Sequence, residues 1–302
     1  MNLNTDFLKK KFGKNLIIKE DLSKYSWFNL GGPADIFFRP ENKDQLIKFL
    51  DTIKKKNYKI HILGAGSNTL IRDSGVKGVV IKLGSKFSNI ELLAKDTIEV
   101  GASTLDRKVS DFAKNNEISG MEFLSCIPGS IGGAIIMNSG CYGSDISEIL
   151  SSIKIIDEKG KEKEIKNDEI KFFYRGTNIP KNYIILSAVL KGIISSKQLI
   201  EQKQEELIER KKKSQPSQIK TGGSTFKNSN NKKAWMLIKE SGCDKLYIGD
   251  AKISDKHCNF FVNDGKAKTA DIEKLINKVK KEVQKKTGVD LELEIKIIGD
   301  EK

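Results

Sequence analysis

The chain has 302 residues, with 54 Lys plus Arg against 40 Asp plus Glu, a formal net charge of +14. Charged residues at 31% and hydrophobic ones at 38% describe a soluble globular protein, long enough for one large domain or two to three modest ones. No apolar run approaches the roughly 18–20 residues of a membrane span, and the opening MNLNTDFLKKKFGKNL lacks the apolar stretch of a secretory signal, so a cytoplasmic location is expected.

Along the chain, residues 43–56 predict a helix with Leu46, Ile47, Leu50 and Ile53 on one face. A short strand at 58–63 leads into Gly64-Ala65-Gly66-Ser67-Asn68, and a second apolar run fills 76–83. Only about a dozen residues separate these runs, which predicts strand, turn and loop rather than a βαβ crossover. Next come a strand at 97–103, a helix near 105–115 and a glycine-dense stretch at 125–146. Strands at 152–157 and 183–190 follow, with a turn at Glu158-Lys159-Gly160. The composition shifts near 196 to a polar helix that ends before Pro216, where Arg210-Lys211-Lys212-Lys213 follows Glu205, Glu206 and Glu209. Cations there suit the negative end of a helix dipole. Helices are expected at 234–241 and 271–286, the latter with a stripe of Ile272, Leu275, Ile276, Val279 and Val283 stopped by Gly288. Strict alternation over 291–298 predicts a final strand, with Glu292, Glu294 and Lys296 on its polar face. These elements divide into an N-terminal segment (1–25), a domain at 26–195 with lobes near 26–84 and 85–195, and a domain at 196–302.

The excess charge is almost wholly lysine, since arginine occurs only at 39, 72, 107, 175 and 210. Sequence-reading nucleic-acid proteins favour Arg for bidentate contacts, and no basic segment here interleaves aromatics as a stacking platform. The lysines read as a solvated surface, with a nucleic-acid-binding module as the reading of another class. Cys126, Cys141, Cys243 and Cys258 stand singly beside only two histidines, His61 and His257. That spacing matches neither a zinc site nor a disulfide framework.

Three loops can carry chemistry. Gly64–Asn68 follows a strand, and its small residues let backbone N–H groups approach an anion closely. It is neither a P-loop nor a complete GxGxxG, and an ordinary tight turn fits it equally. Pro128-Gly129-Ser130-Ile131-Gly132-Gly133 sets three glycines in an apolar context, where such a run serves a backbone shape. Two glycine loops suit a dinucleotide diphosphate in the absence of a Rossmann turn. Gly222-Gly223-Ser224-Thr225-Phe226-Lys227-Asn228 offers a loop serine but no nucleophile elbow.

The combination of ILGAGSN (62–68), IPGSIGGA (127–134), YRG (174–176), GGSTFKN (222–228) and LELEIKIIG (291–299), in matching order and spacing, resembles the UDP-N-acetylenolpyruvoylglucosamine reductases. The resemblance runs from about Ser26 to Gly299. It implies an α+β fold, with a two-lobed FAD-binding domain of the vanillyl-alcohol-oxidase type and a smaller substrate domain. FAD would be held non-covalently, its diphosphate on Gly64, Ala65, Gly66, Ser67 and Asn68 and on Pro128, Gly129, Ser130, Ile131, Gly132 and Gly133. NADPH would be the reductant and UDP-N-acetylglucosamine enolpyruvate the substrate, with a monomeric enzyme and no metal. Another FAD-dependent oxidase or dehydrogenase is the alternative of the same fold.

The resemblance assigns catalysis to Arg175, Ser224 and Glu294, and substrate binding to Tyr174, Asn228 and Lys213, with Lys211 and Lys212 competing for the last role. Without it, Glu294 would default to solvent exposure on a polar strand face, with Glu292 its nearest competitor. Two departures stand out: Ser229 replaces the family's usual Pro after FKN, and Lys296 replaces its Arg. Few residues separate Arg175 from Tyr183, which leaves little room for an inserted tyrosine-bearing loop and matches the family's shorter type.

Overall fold

A computed structural model describes residues 5–54, 58–157, 160–229 and 232–301. The turn expected at Glu158 and Lys159, and the last two residues of the helix expected over 43–56, lie outside these. Eight α-helices are described: α1 Thr5–Phe12, α2 Lys43–Lys54, α3 Asp106–Asn115, α4 Ile131–Ile136, α5 Ile146–Ile149, α6 Lys197–Ser214, α7 Ala234–Glu240 and α8 Thr269–Thr287. Among the described residues no helix is long and apolar enough to cross a membrane. Two compact units are present. One comprises Met1–Ile18, Ile36–Ala65 and Gly78–Lys211, the other Lys19–Asp35, Gly66–Lys77 and Lys212–Lys302. Neither is contiguous in sequence, and α6 up to Lys211 groups with the first.

The first unit is built on a five-stranded antiparallel sheet in the order Glu162–Lys166, Leu150–Ile156, Ile184–Lys191, Thr97–Gly101, Ile90–Ala94. Ile98, Val100, Ile153, Ile155, Ala188 and Leu190 face Val109 and Ala113 of α3 and Ile131 and Ile135 of α4 in one buried cluster. A second cluster gathers Ile36, Phe38, Val79 and Ile81 with Leu46, Phe49 and Ile53 of α2 and Phe12 of α1. Phe38 stacks on Phe49 with ring centroids 3.9 Å apart, and Phe12 meets both edge-on at 5.4 and 5.3 Å. The strand Ile60–Ile62 pairs in parallel with Val79–Ile81. No helix intervenes, but the pairing is parallel, because Thr69–Ile71 between them finds a different partner.

In the second unit, Lys220–Ser224, Phe260–Asn263, Ala251–Ile253 and Tyr247–Ile248 form an antiparallel sheet in that order. The stripe Ile272, Leu275, Ile276, Val279 and Val283 of α8 is buried against it with Leu237 and Ile238 of α7 and Phe226 and Phe261. Gly288 ends α8 in the left-handed conformation at φ 72°. Thr69–Ile71 pairs in parallel with Lys296–Ile298. The same segment is tied to α8: the Asp73 carboxylate accepts the N–H groups of Thr269 and Ala270 at 3.0 and 3.1 Å, and Thr269 Oγ1 donates to the Ile71 carbonyl at 2.6 Å. The Arg72 guanidinium clamps both Glu273 oxygens, at 3.0 Å from Nε and 2.9 Å from Nη2.

Two expectations need correction. The final strand is short: only Lys296–Ile298 forms a ladder, and Leu293 makes an isolated bridge to Phe226, because the chain bends at Ile295. The second glycine run is not all loop either, since Gly132 and Gly133 lie in the first turn of α4.

Replacing Phe49 by Ala removes a fully buried ring from the three-ring cluster. A loss of about 3–5 kcal/mol in unfolding free energy is expected, readable as a lowered urea midpoint by circular dichroism.

Candidate active site

The first glycine loop begins where Leu63 N–H donates to the Ile81 carbonyl at 2.9 Å. Gly64 then passes so close to the second glycine loop that a Cβ on it would stand 2.9 Å from Ser130 Oγ. A larger residue at 64 would force the Ser130 hydroxyl to shift. The Lys82 ammonium donates to the Gly64 carbonyl. Sequence reading missed this lysine because it sits in an ordinary apolar run, with no pattern to mark it. Its pKa is pushed down to about 8 by burial, and further by the nearby charge of Arg39.

Within the second unit, Gly66 has φ 74°, and a Cβ there would fall 1.8 Å from the Tyr25 carbonyl oxygen. Its own carbonyl accepts Trp27 N–H at 3.1 Å. Asn68 is a bridge: its carbonyl accepts Lys296 N–H at 2.9 Å, and its side-chain amide donates to the Glu294 carbonyl at 3.2 Å. Ala65 and Ser67 are half-buried.

The second glycine loop, in the first unit, lies along the extended segment 102–106. Ile131 N–H donates to the Thr104 carbonyl at 3.0 Å, Gly132 N–H to the Ala102 carbonyl at 2.9 Å, and Asp106 N–H to the Gly129 carbonyl at 3.2 Å. The amides of Ile131 and Gly132 are thereby occupied, which leaves Gly129, Ser130 and Gly133 as the loop's candidate donors to an anion. Pro128 and Gly133 are exposed. Within the first unit, Gly64 and the Pro128–Gly133 run meet with little side chain between them, and backbone N–H groups in such a setting suit a dinucleotide diphosphate.

Arg175 also belongs to the first unit. It sits in the tight turn between Phe172–Phe173 and Gly176–Thr177 with φ 60°. A non-glycine residue in that region carries strain of about 1–3 kcal/mol and persists only where its surroundings enforce it. Its Nη2 donates to the Gly140 carbonyl at 2.8 Å, and its guanidinium carbon lies 5.1 Å from the Tyr174 ring centroid. Tyr174 is half exposed. Asn138, buried at φ 40°, steadies this region by donating to Asp145 and to the Phe173 carbonyl while accepting Ser147 N–H. Sequence reading missed it as well. Cys126 and Cys141 also interact here, each shifting the other's thiol: Cys126 is lowered and Cys141 raised, while Cys141 Sγ donates to the Phe123 carbonyl at 3.5 Å. In space these two do not stand singly.

In the second unit, Ser224 ends its strand opposite Phe260. Asn259 holds the next turn: its carbonyl accepts Thr225 N–H at 2.7 Å, its Oδ1 accepts Phe226 N–H at 3.0 Å, and its Nδ2 donates to the Phe226 carbonyl at 2.8 Å. Glu294 N–H donates to the Thr225 carbonyl at 2.9 Å. Ser224 and Glu294 are therefore brought within one peptide of each other, with Asn68 on the far side of Glu294. Glu294 is half-buried, whereas Glu292 is 75% exposed and pairs with Lys227 at 3.4 Å. Asn228 caps the start of α7, its Oδ1 accepting Ala234 N–H at 3.0 Å. Lys213 is exposed near the end of α6, while Lys211 donates to the Cys126 carbonyl at 2.8 Å.

Residues 215–298 match the family described as the C-terminal domain of UDP-N-acetylenolpyruvoylglucosamine reductase, and residues 34–166 match an FAD binding domain. The chain is 50% identical over 281 residues to the UDP-N-acetylenolpyruvoylglucosamine reductase of Pelagibacter ubique, covering 92% of this chain and 93% of that protein. It is 41% identical over 299 residues to the Gluconobacter oxydans reductase, covering 99% and 97%. Among solved structures it is similar to the reductase (MurB) from Thermus caldophilus, with a TM-score of 0.82 and 31% identity over 94% of this chain and 98% of that one.

Lys82 gives this geometry a pH signature. Its folded pKa lies below its unfolded value, so the cost of burying the cation is full below pH 8 and is relieved as pH rises from 8 to 10.5. Relative to Lys82→Met, the native protein should gain up to about 3 kcal/mol across that window. Urea unfolding at pH 7, 9 and 10 measures it, and a constant or shrinking difference contradicts the assignment.

Proposed function

The chain belongs to the UDP-N-acetylenolpyruvoylglucosamine reductase family, and on that premise we propose that Arg175, Ser224 and Glu294 carry its reaction. The protein is an FAD-dependent oxidoreductase that reduces the enolpyruvyl group of UDP-N-acetylglucosamine enolpyruvate with NADPH, yielding UDP-N-acetylmuramate for peptidoglycan precursor synthesis. The order of events is ping-pong: NADPH enters and leaves before the UDP-sugar binds. FAD is held without a covalent tether on Gly64–Asn68 and Pro128–Gly133, and the glycine-walled approach of Gly64 to Ser130 supports that placement. When bound, it supplies the hydride that it takes from NADPH.

The remaining chemistry falls to side chains. Hydride addition to the methylene carbon leaves negative charge on the neighbouring carbon, spread into the carboxylate. Arg175 clamps that carboxylate through two parallel N–H bonds, and the enforced strain at its backbone is what a pre-set clamp requires. Glu294, when protonated, adds a hydrogen bond to the same developing charge. Ser224 delivers a proton to the carbanionic carbon as general acid. The observation that carries this reading is the convergence of Ser224 and Glu294 through the Thr225 peptide, with Glu292 left exposed. Tyr174 lines the substrate, and Lys213 pairs with its diphosphate. Asn228 contributes by fixing the start of α7 as well as by facing the nucleotide-sugar. The enzyme works as a cytoplasmic monomer.

Purified protein should be yellow, bleach with NADPH under anaerobic conditions and regain its colour with the UDP-sugar; a colourless protein that binds no FAD would sink the reading. Ser224→Ala should leave bleaching by NADPH within about threefold of native. Recolouring by substrate should slow by roughly 10²–10⁴, and equal slowing of both half-reactions in stopped flow would remove Ser224 from the role of acid.

A further inference from the structure

Beneath the second glycine loop lies a pair of polar groups that the reaction does not use. Asp106 is fully buried, and neither carboxyl oxygen has a hydrogen-bond partner. Thr104 is buried too, and its Oγ1 is likewise without one. The intervening Leu105 is extended, at φ −69° and ψ 137°, and half exposed. Thr104 and Asp106 therefore point to the same, inner side of one segment. That segment is the one on which Gly129, Ile131 and Gly132 dock. The contact is closest at Gly129, where a Cβ would fall 2.5 Å from Asp106 Oδ2, so the loop's backbone rests on the carboxyl group itself.

We propose that Asp106 is a positioning residue for the cofactor: its carboxyl group hydrogen-bonds the Pro128–Gly133 loop when the loop takes the flavin diphosphate. This rests on the reading of that loop as a diphosphate loop. An unpartnered buried carboxyl destabilises a fold, and an apolar residue of the same shape would remove that cost. The polar group is therefore a liability in the ligand-free fold and needs a compensating use elsewhere. Burial alone, with no charged neighbour contributing, lifts its pKa well above the usual carboxylate range, which favours the acid form, with an O–H to donate. A neutral donor suits the position, since a carboxylate there would repel the diphosphate. Its oxygens are closed off from solvent, so it acts through the loop: holding a loop carbonyl inward turns the adjoining N–H groups outward to the anion.

The test separates a positioning role from a structural one by pairing two readouts on the full chain. FAD is titrated into deflavinated protein by flavin fluorescence, and the same deflavinated protein is melted. Asp106→Asn keeps a neutral donor and should bind FAD within threefold of native. Asp106→Leu keeps the shape without the donor and should bind at least tenfold more weakly, while its ligand-free form melts at or above the native temperature. A Leu variant that binds FAD like native, an Asn variant as weak as Leu, or a Leu variant that melts lower each overturns the proposal. Gly133→Val tests the underlying reading, because a Cβ there meets only Ser130 Oγ, at an ordinary 3.8 Å, and stands on the exposed face of the loop. If it leaves FAD binding unchanged, the loop does not hold the diphosphate and the Asp106 proposal falls with it. If it weakens binding while Asp106→Leu does not, only the Asp106 proposal fails.

Discussion

The second unit depends on one long-range constraint, the parallel ladder between Thr69–Ile71 and Lys296–Ile298. Parallel pairing cannot be closed by a hairpin, so the two strands must be held by what flanks them. Asn68 closes one end through its bonds to Glu294 and Lys296. At the other end, Arg72 and Asp73 bind α8 through Glu273 and the Thr269 and Ala270 amides. The same bonds that secure the ladder therefore set the height of Glu294 beside Thr225. Lys296 contributes its backbone N–H to this end of the ladder, so the pairing does not depend on its side chain.

In the first unit the governing constraint is backbone proximity. Gly64 against Ser130, and Gly129 against Asp106, leave no room for a Cβ. Each such approach lowers chain entropy more than a side-chain contact would, and both occur around a single loop. Strain gathers nearby as well, at Asn138, Tyr142 and Arg175, all with positive φ. Rigid and strained backbone concentrated in this way is expected where a ligand must be met by preset donors rather than by side chains that adjust.

Much of this architecture was legible in the sequence wherever a local physical signal existed. The stripe on α8 and its glycine stop were readable because helix periodicity and a left-handed cap are encoded within a few residues. The glycine loops were readable as loops of special shape for the same reason. The shortness of the final strand was not, because alternation at 291–298 describes which side chains are apolar and not whether a partner strand is present. Likewise, the pattern could not separate Glu294 from Glu292, which share a face in sequence. Both backbones bond to the same segment, Glu294 N–H to the Thr225 carbonyl and the Glu292 carbonyl to Lys227 N–H; they differ in their side chains, half-buried at Glu294 and exposed against Lys227 at Glu292. Lys82, Asn138, Thr104 and Asp106 carry no local signature, since each acquires its role from groups that no sequence pattern links to it.

The interleaved path of the chain has a bearing on how the protein is made. Asn68 and Glu294 are separated by 226 residues, and a ribosome extends the chain at about 5–20 residues per second, folding it from the N-terminal side. For many seconds the segment 66–77 has left the tunnel without the strand and helix that receive it. Thr69, Leu70 and Ile71 then form an open edge, and open edges recruit other chains. During that interval the nascent second unit resembles a half-closed clasp, open to pairing with other chains until its partner strand arrives.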